Sequence, residues 1–150
     1  MTENRKQMKY LLFFFFLFPP VFFFAQPDVS GNWVGIITQK EGGYRSKYKF
    51  ELFLFQNGDE ISGRSYVYVD DIYAEMILKG KIEEDLLTFY ETKIIEFKEF
   101  EGMEWCIKNG KLRLLKSGNN WKLEGLWEGV TSFGACIPGK VFLQKIVPRV

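Results

Sequence analysis

Trp105-Cys106-Ile107-Lys108-Asn109-Gly110, then Lys111-Leu112-Arg113-Leu114-Leu115, then Trp121-Lys122-Leu123-Glu124-Gly125-Leu126-Trp127-Glu128-Gly129 lie close together in the last third of a 150-residue chain. Leu112 and Leu114 alternate with Lys111 and Arg113. Trp121, Leu123, Gly125 and Trp127 share one face, and Lys122, Glu124 and Glu128 the other. This period-two alternation marks half-buried strands. Ser117-Gly118-Asn119-Asn120 is a turn, because Gly and Asn adopt positive φ at little cost. After a loop from Phe133 to Gly139, Val141 to Ile146 reads as one more strand. The stretch predicts the closing half of a small antiparallel barrel.

Both cysteines fall here. Cys106 precedes the first of these three strands and Cys136 the third. In an up-and-down meander the first and third strands run parallel, so their starting ends share a rim. That placement suits a Cys106–Cys136 bridge, with two unrelated buried thiols as the alternative. The bridge would close a loop of 29 intervening residues. In the chain-entropy model such a loop contributes about 3–4 kcal/mol.

Residues 1–25 read as a signal peptide. Arg5, Lys6 and Lys9 form a basic start, and Leu11 to Ala25 is apolar around Pro19-Pro20. That run is short for a membrane span and suits an export signal cleaved after Ala25. An uncleaved anchor is the alternative. No cysteine stands directly after the apolar run, which excludes lipid attachment there. The expected mature chain, 26–150, is a single β-barrel domain with no stable membrane span, either periplasmic or secreted. The whole chain has a formal charge of +1, and the leader carries three basic groups against Glu3, which leaves −1. That balance gives no electrostatic case for nucleic acid.

The remaining strands follow in order. Ser30 to Thr38 opens the sheet. Tyr48, Phe50, Leu52 and Leu54 share one face of the second strand, while Phe53 and Phe55 interrupt its polar face and imply a covered rim. Asn57-Gly58 is a strong hairpin signal. Ile61, Gly63, Ser65, Val67 and Val69 point inward from the third strand, and Ile72, Ala74, Met76, Leu78 and Gly80 from the fourth. The fifth, from Leu86, has no clear facing. Thr92 to Glu104 fits the meander least. It could extend the fifth strand, form a helical turn or cross the barrel mouth; the reading favoured is a long ordered connection, with Phe97 and Phe100 over the mouth. The count is eight strands, at about 32–38, 46–56, 60–69, 72–82, 86–93, 111–116, 121–128 and 140–146. The fold class is all-β, an eight-stranded antiparallel up-and-down barrel.

Gly31-Asn32-Trp33 at the first strand resembles the Gly-x-Trp signature of the calycin group: lipocalins, fatty-acid-binding proteins and avidins. The resemblance implies that Trp33 plugs one end of the barrel. It also implies that a basic residue near the last strand, Lys145 or else Lys140, packs over the indole.

Catalysis has little to draw on. The chain has no histidine, so a Ser–His or Cys–His nucleophile system has no base and the commonest metal ligand is missing. Two cysteines so far apart are not a zinc spacing. Glu124 and Glu128, or the acidic run near residue 100, read as solvated faces rather than a glycosidase pair. No enzyme activity, metal or cofactor is expected. The aromatic set allows two readings. Trp33, Tyr48, Phe50, Trp121 and Trp127, with Met76 beside them, either line a pocket for a small apolar ligand or simply fill a small barrel. Gly63, Ala74, Gly80 and Gly125 are the small inward positions expected to leave ligand space. The alternative function is an interaction module with a filled core. It would meet a protein or glycan partner through its loops or through outward Tyr66, Tyr68 and Tyr73.

Overall fold

A computed structural model describes residues 26–98 and 102–147. The expected leader and Phe100 lie outside the described residues. Among the described residues nine strands follow in order: β1 (Gly31–Thr38), β2 (Lys47–Asn57), β3 (Glu60–Val69), β4 (Ile72–Glu83), β5 (Leu86–Phe97), β6 (Ile107–Ser117), β7 (Asn120–Thr131), β8 (Gly134–Ala135) and β9 (Gly139–Lys145). β8 is a two-residue ribbon against the end of β7. The other eight pair antiparallel with their neighbours, and β9 pairs with both β7 and β1, which closes the barrel. Closure removes both sheet edges, the usual liability of an open sheet.

The barrel has a closed end and an open end. The closed end gathers the start of β1 and the β2–β3, β4–β5 and β6–β7 turns. Trp33 is fully buried there, and its Nε1 donates to the Val29 carbonyl at 2.8 Å. Lys145 stands opposite Trp33 in the β1–β9 register, with its ammonium 5.6 Å from the indole centre. The resemblance allowed Lys145 or Lys140; Lys145 takes the place, and Lys140 lies opposite Leu126 on the outer face. Above Trp33 the core holds Leu52, Leu54, Ile82, Leu87, Phe89, Leu112, Leu123 and Leu143, all buried. Each such side chain contributes about 1.5–3 kcal/mol by leaving water.

Four expectations are corrected. Residues 92–97 extend the fifth strand, the alternative to the favoured ordered connection: β5 continues to Phe97 and stays paired with β4 as far as Ala74. Two register shifts, opposite Glu75/Met76 and Ile77/Leu78, break the alternation that would have revealed this. Phe97 is half exposed at the rim and does not fold over the mouth. The small inward glycines leave no ligand space either. A Cβ on Gly63 would lie 2.0 Å from the Phe53 carbonyl oxygen, and one on Gly125 would lie 1.9 Å from that of Lys111. Neighbouring backbone fills those positions, and the glycines let the strands coil tightly enough to close. Ala74 is itself fully buried. Phe53 and Phe55 are 53% and 62% exposed, so no rim covers them.

Candidate functional site

The open end is built from the β1–β2 loop, the β3–β4 turn, residues 102–106 and the β7–β8–β9 segment. Between them lies a cavity of about 340 Å³. That volume falls within the range of small-molecule sites, about 300–1,000 Å³. Its wall is largely apolar: Ile37, Tyr48, Val67, Val69, Met103, Trp105, Trp127 and Phe133.

Hydrogen bonds fix the polar tips of these side chains. Tyr48 donates its hydroxyl hydrogen to Gln39 Oε1 at 2.6 Å and accepts from the Arg45 amide at 2.9 Å. Burial raises the Tyr48 phenol above its ordinary 10.0 and so keeps it neutral. Trp127 donates from Nε1 to the Thr38 carbonyl at 2.7 Å. The rim is tied across its loops. Arg45 holds both carboxylate oxygens of Asp70, joining the β1–β2 loop to the β3–β4 turn. Glu104 accepts from the Ser132 amide at 2.7 Å and from its hydroxyl. These two donors hold the Glu104 carboxyl below its ordinary 4.5. Cys106 and Cys136 form a disulfide in the cavity wall, with Cα atoms 6.4 Å apart.

At the inner wall sits a buried ion pair. Lys108 Nζ lies 2.9 Å from Glu91 Oε2, with side chains 3% and 0% exposed. Lys108 also gives hydrogens to the Cys106 carbonyl at 3.1 Å and to Met76 Sδ at 3.3 Å. Glu91 accepts from Ser65 Oγ at 2.5 Å and from the Lys108 backbone amide at 2.7 Å. Among the described residues, no buried side-chain nitrogen or oxygen lacks a partner. A buried charge pair survives only with this kind of hydrogen-bond coverage.

The expected ligand residues divide by position. Tyr48 and Trp127 line the cavity. Phe50 and Met76 are fully buried next to the Lys108 ammonium, with the Phe50 ring centre 5.7 Å away. Trp33 belongs to the closed end. Trp121 is not inside at all: it stands beside the β6–β7 turn, 36% exposed, with Lys116 5.7 Å from its ring. Its face matches Leu123 and Trp127, but it lies past the rim of the barrel. The outward tyrosines do lie together. Tyr68 and Tyr73 have ring centres 6.0 Å apart, and Tyr66 and Tyr68 donate to Glu75 and Glu51.

Sequence reasoning missed Lys108, Glu91 and Trp105. The signal was parity. Leu112, Gly110 and Lys108 lie on one face of β6, and Leu87, Phe89 and Glu91 on one face of β5. Compared with protein-family models, curated proteins and solved structures, the chain has no match among any of the three.

Proposed function

We propose that this chain is an exported, calycin-like barrel that binds a small, largely apolar molecule in its open-end cavity and catalyses no reaction on it. The observation carrying this reading is the cavity of about 340 Å³ walled by Tyr48, Met103, Trp105, Trp127 and Phe133, above a core packed to the closed end. A core filled from end to end would have favoured an interaction module. The Trp33–Lys145 plug supports the calycin likeness. The Cys106–Cys136 disulfide supports an oxidising compartment, periplasmic or extracellular. A non-catalytic reading rests on the absence of histidine, on Glu91 and Lys108, which neutralise each other, and on Glu104, whose carboxylate is taken up by the amide and hydroxyl of Ser132.

The test is a titration with a neutral naphthylamine dye, read by dye emission and by tryptophan quenching. A saturable, one-to-one response is expected. A response that rises linearly with dye would sink the carrier reading. A protein or glycan partner at the tyrosine face is the second reading, and the clustering of Tyr66, Tyr68 and Tyr73 favours it. All three hydroxyls are already engaged by carboxylates, of Glu75, Glu51 and Glu96, which ranks it below the cavity.

A further inference from the structure

We infer that the molecule held in the open-end cavity is electrically neutral and carries a single hydrogen-bond acceptor, a carbonyl or hydroxyl oxygen, that reaches the Lys108 ammonium. The inference rests on the carrier reading above and adds the ligand's chemical class. Lys108 forms part of the cavity wall, and its ammonium has three hydrogens with three partners. Two partners are strong acceptors, the Glu91 carboxylate and the Cys106 carbonyl. The third is the thioether of Met76, a weak acceptor. The Met76 bond is therefore the one that an incoming oxygen displaces at least cost.

Charge decides which oxygen. Glu91 already neutralises Lys108 at 2.9 Å, and both side chains are buried. A ligand carboxylate would place a second anion against Glu91 with one ammonium to share, inside a poorly solvated site. A ligand cation would meet Lys108, and the one further carboxylate of the lining, Glu104, is already engaged by the amide and hydroxyl of Ser132. A neutral carbonyl or hydroxyl adds a charge-assisted hydrogen bond and leaves the pair's net charge at zero. A pure hydrocarbon gains nothing from Lys108. The rest of the ligand faces Tyr48, Trp105, Trp127 and Phe133 and should be largely apolar, because the polar side chains of the same wall, Gln39, Glu104 and Thr131, are already hydrogen-bonded within the protein and a second polar group would have to displace one of those bonds.

The experiment compares four probes of one chain length on the intact protein at pH 8, where decanoate is ionised: decan-2-one, decan-1-ol, decane and decanoate. Each is measured by displacement of the bound naphthylamine dye. The ketone and the alcohol should bind about tenfold tighter than decane. Decanoate should bind more weakly than the ketone. If decanoate is the tightest, the site is a carboxylate site; the inference is overturned and the carrier reading stands. If all four bind equally, Lys108 takes no part, and again only the inference falls. If none displaces the dye and the dye itself does not saturate, the carrier reading falls and takes the inference with it. Lys108→Met should abolish the preference for ketone over decane while decane still binds. Wild-type ranking alone decides the case if that variant does not fold.

Discussion

Lys108 and Glu91 face each other 2.9 Å apart with almost no exposed side-chain surface. Taking two charges out of water costs several kcal/mol each, and their attraction offsets this only when the remaining donors and acceptors are covered. Here they are covered, by Ser65, Cys106, Met76 and a backbone amide. The two ways of removing the pair should therefore differ. Lys108→Met alone strands a buried carboxylate and should cost about 3–5 kcal/mol in urea unfolding, whereas Lys108→Met combined with Glu91→Leu should recover most of that loss. A double variant that loses the sum of the Lys108→Met and Glu91→Leu losses would show that the two groups are not coupled. The pair was half legible. Both residues sit on apolar faces when Leu112 and Leu87 are counted back and forward by twos. Asn109-Gly110 masked the first, because Asn-Gly is a turn signal. In β6 that glycine instead makes room for a ring: a Cβ there would lie 2.5 Å from Phe89 Cε1.

At the scale of elements, the open end is irregular where the closed end is regular. β5 pairs with β6 only through Leu86–Tyr90, although it runs on to Phe97 beside β4. Hairpin signals such as Asn57-Gly58 placed the closed-end turns correctly, because those turns are set by local chemistry. The shifts in β5 are set by its neighbours, and nothing local in Thr92 to Phe97 announces them. Two ties compensate for the short β5–β6 ladder. The disulfide joins the approach to β6 with the approach to β9, as the meander geometry implied. Cys106→Ser with Cys136→Ser should lower stability by about 2–4 kcal/mol in urea. An unchanged midpoint would mean that the rim holds without it. The second tie is Glu104 to Ser132. Two donors hold the Glu104 carboxyl below its ordinary 4.5, so the contact stabilises the fold above that pH and is lost as pH falls through the lowered value. The Ser132 amide proton resonance should titrate with a midpoint under 4.5, and Glu104→Gln should remove the step. A midpoint at or above 4.5 would show that the contact does not form in solution.

Among the described residues, the barrel interior is packed at the closed end while a cavity lies between the loops of the open end, and the four tryptophans sample both ends. An alternating pattern tells which residues point inward but not how far along the barrel each one lies. Trp33, Trp121 and Trp127 therefore looked equivalent before their registers were known. Trp33 turns out to be the closed-end plug opposite Lys145, and Trp121 stands at the closed-end rim opposite Lys116. Trp127 lies opposite Gly139 at the open end, where Trp105 joins it in the cavity wall. This asymmetry makes the location of binding testable without a bound structure. A ligand in the open-end cavity touches Trp105 and Trp127 and leaves Trp33 and Trp121 in the surroundings they already have. Replacing Trp105 or Trp127 with Phe, one at a time, should each remove a large share of the fluorescence change on dye binding. Trp121→Phe should leave that change intact, because the ring already faces solvent. Trp33→Phe should leave it intact as well, but should lower stability, because it removes the bond to Val29 and the contact with Lys145. If the signal instead followed Trp33, the ligand would have to reach the plugged end, and the open-end cavity would not be the site.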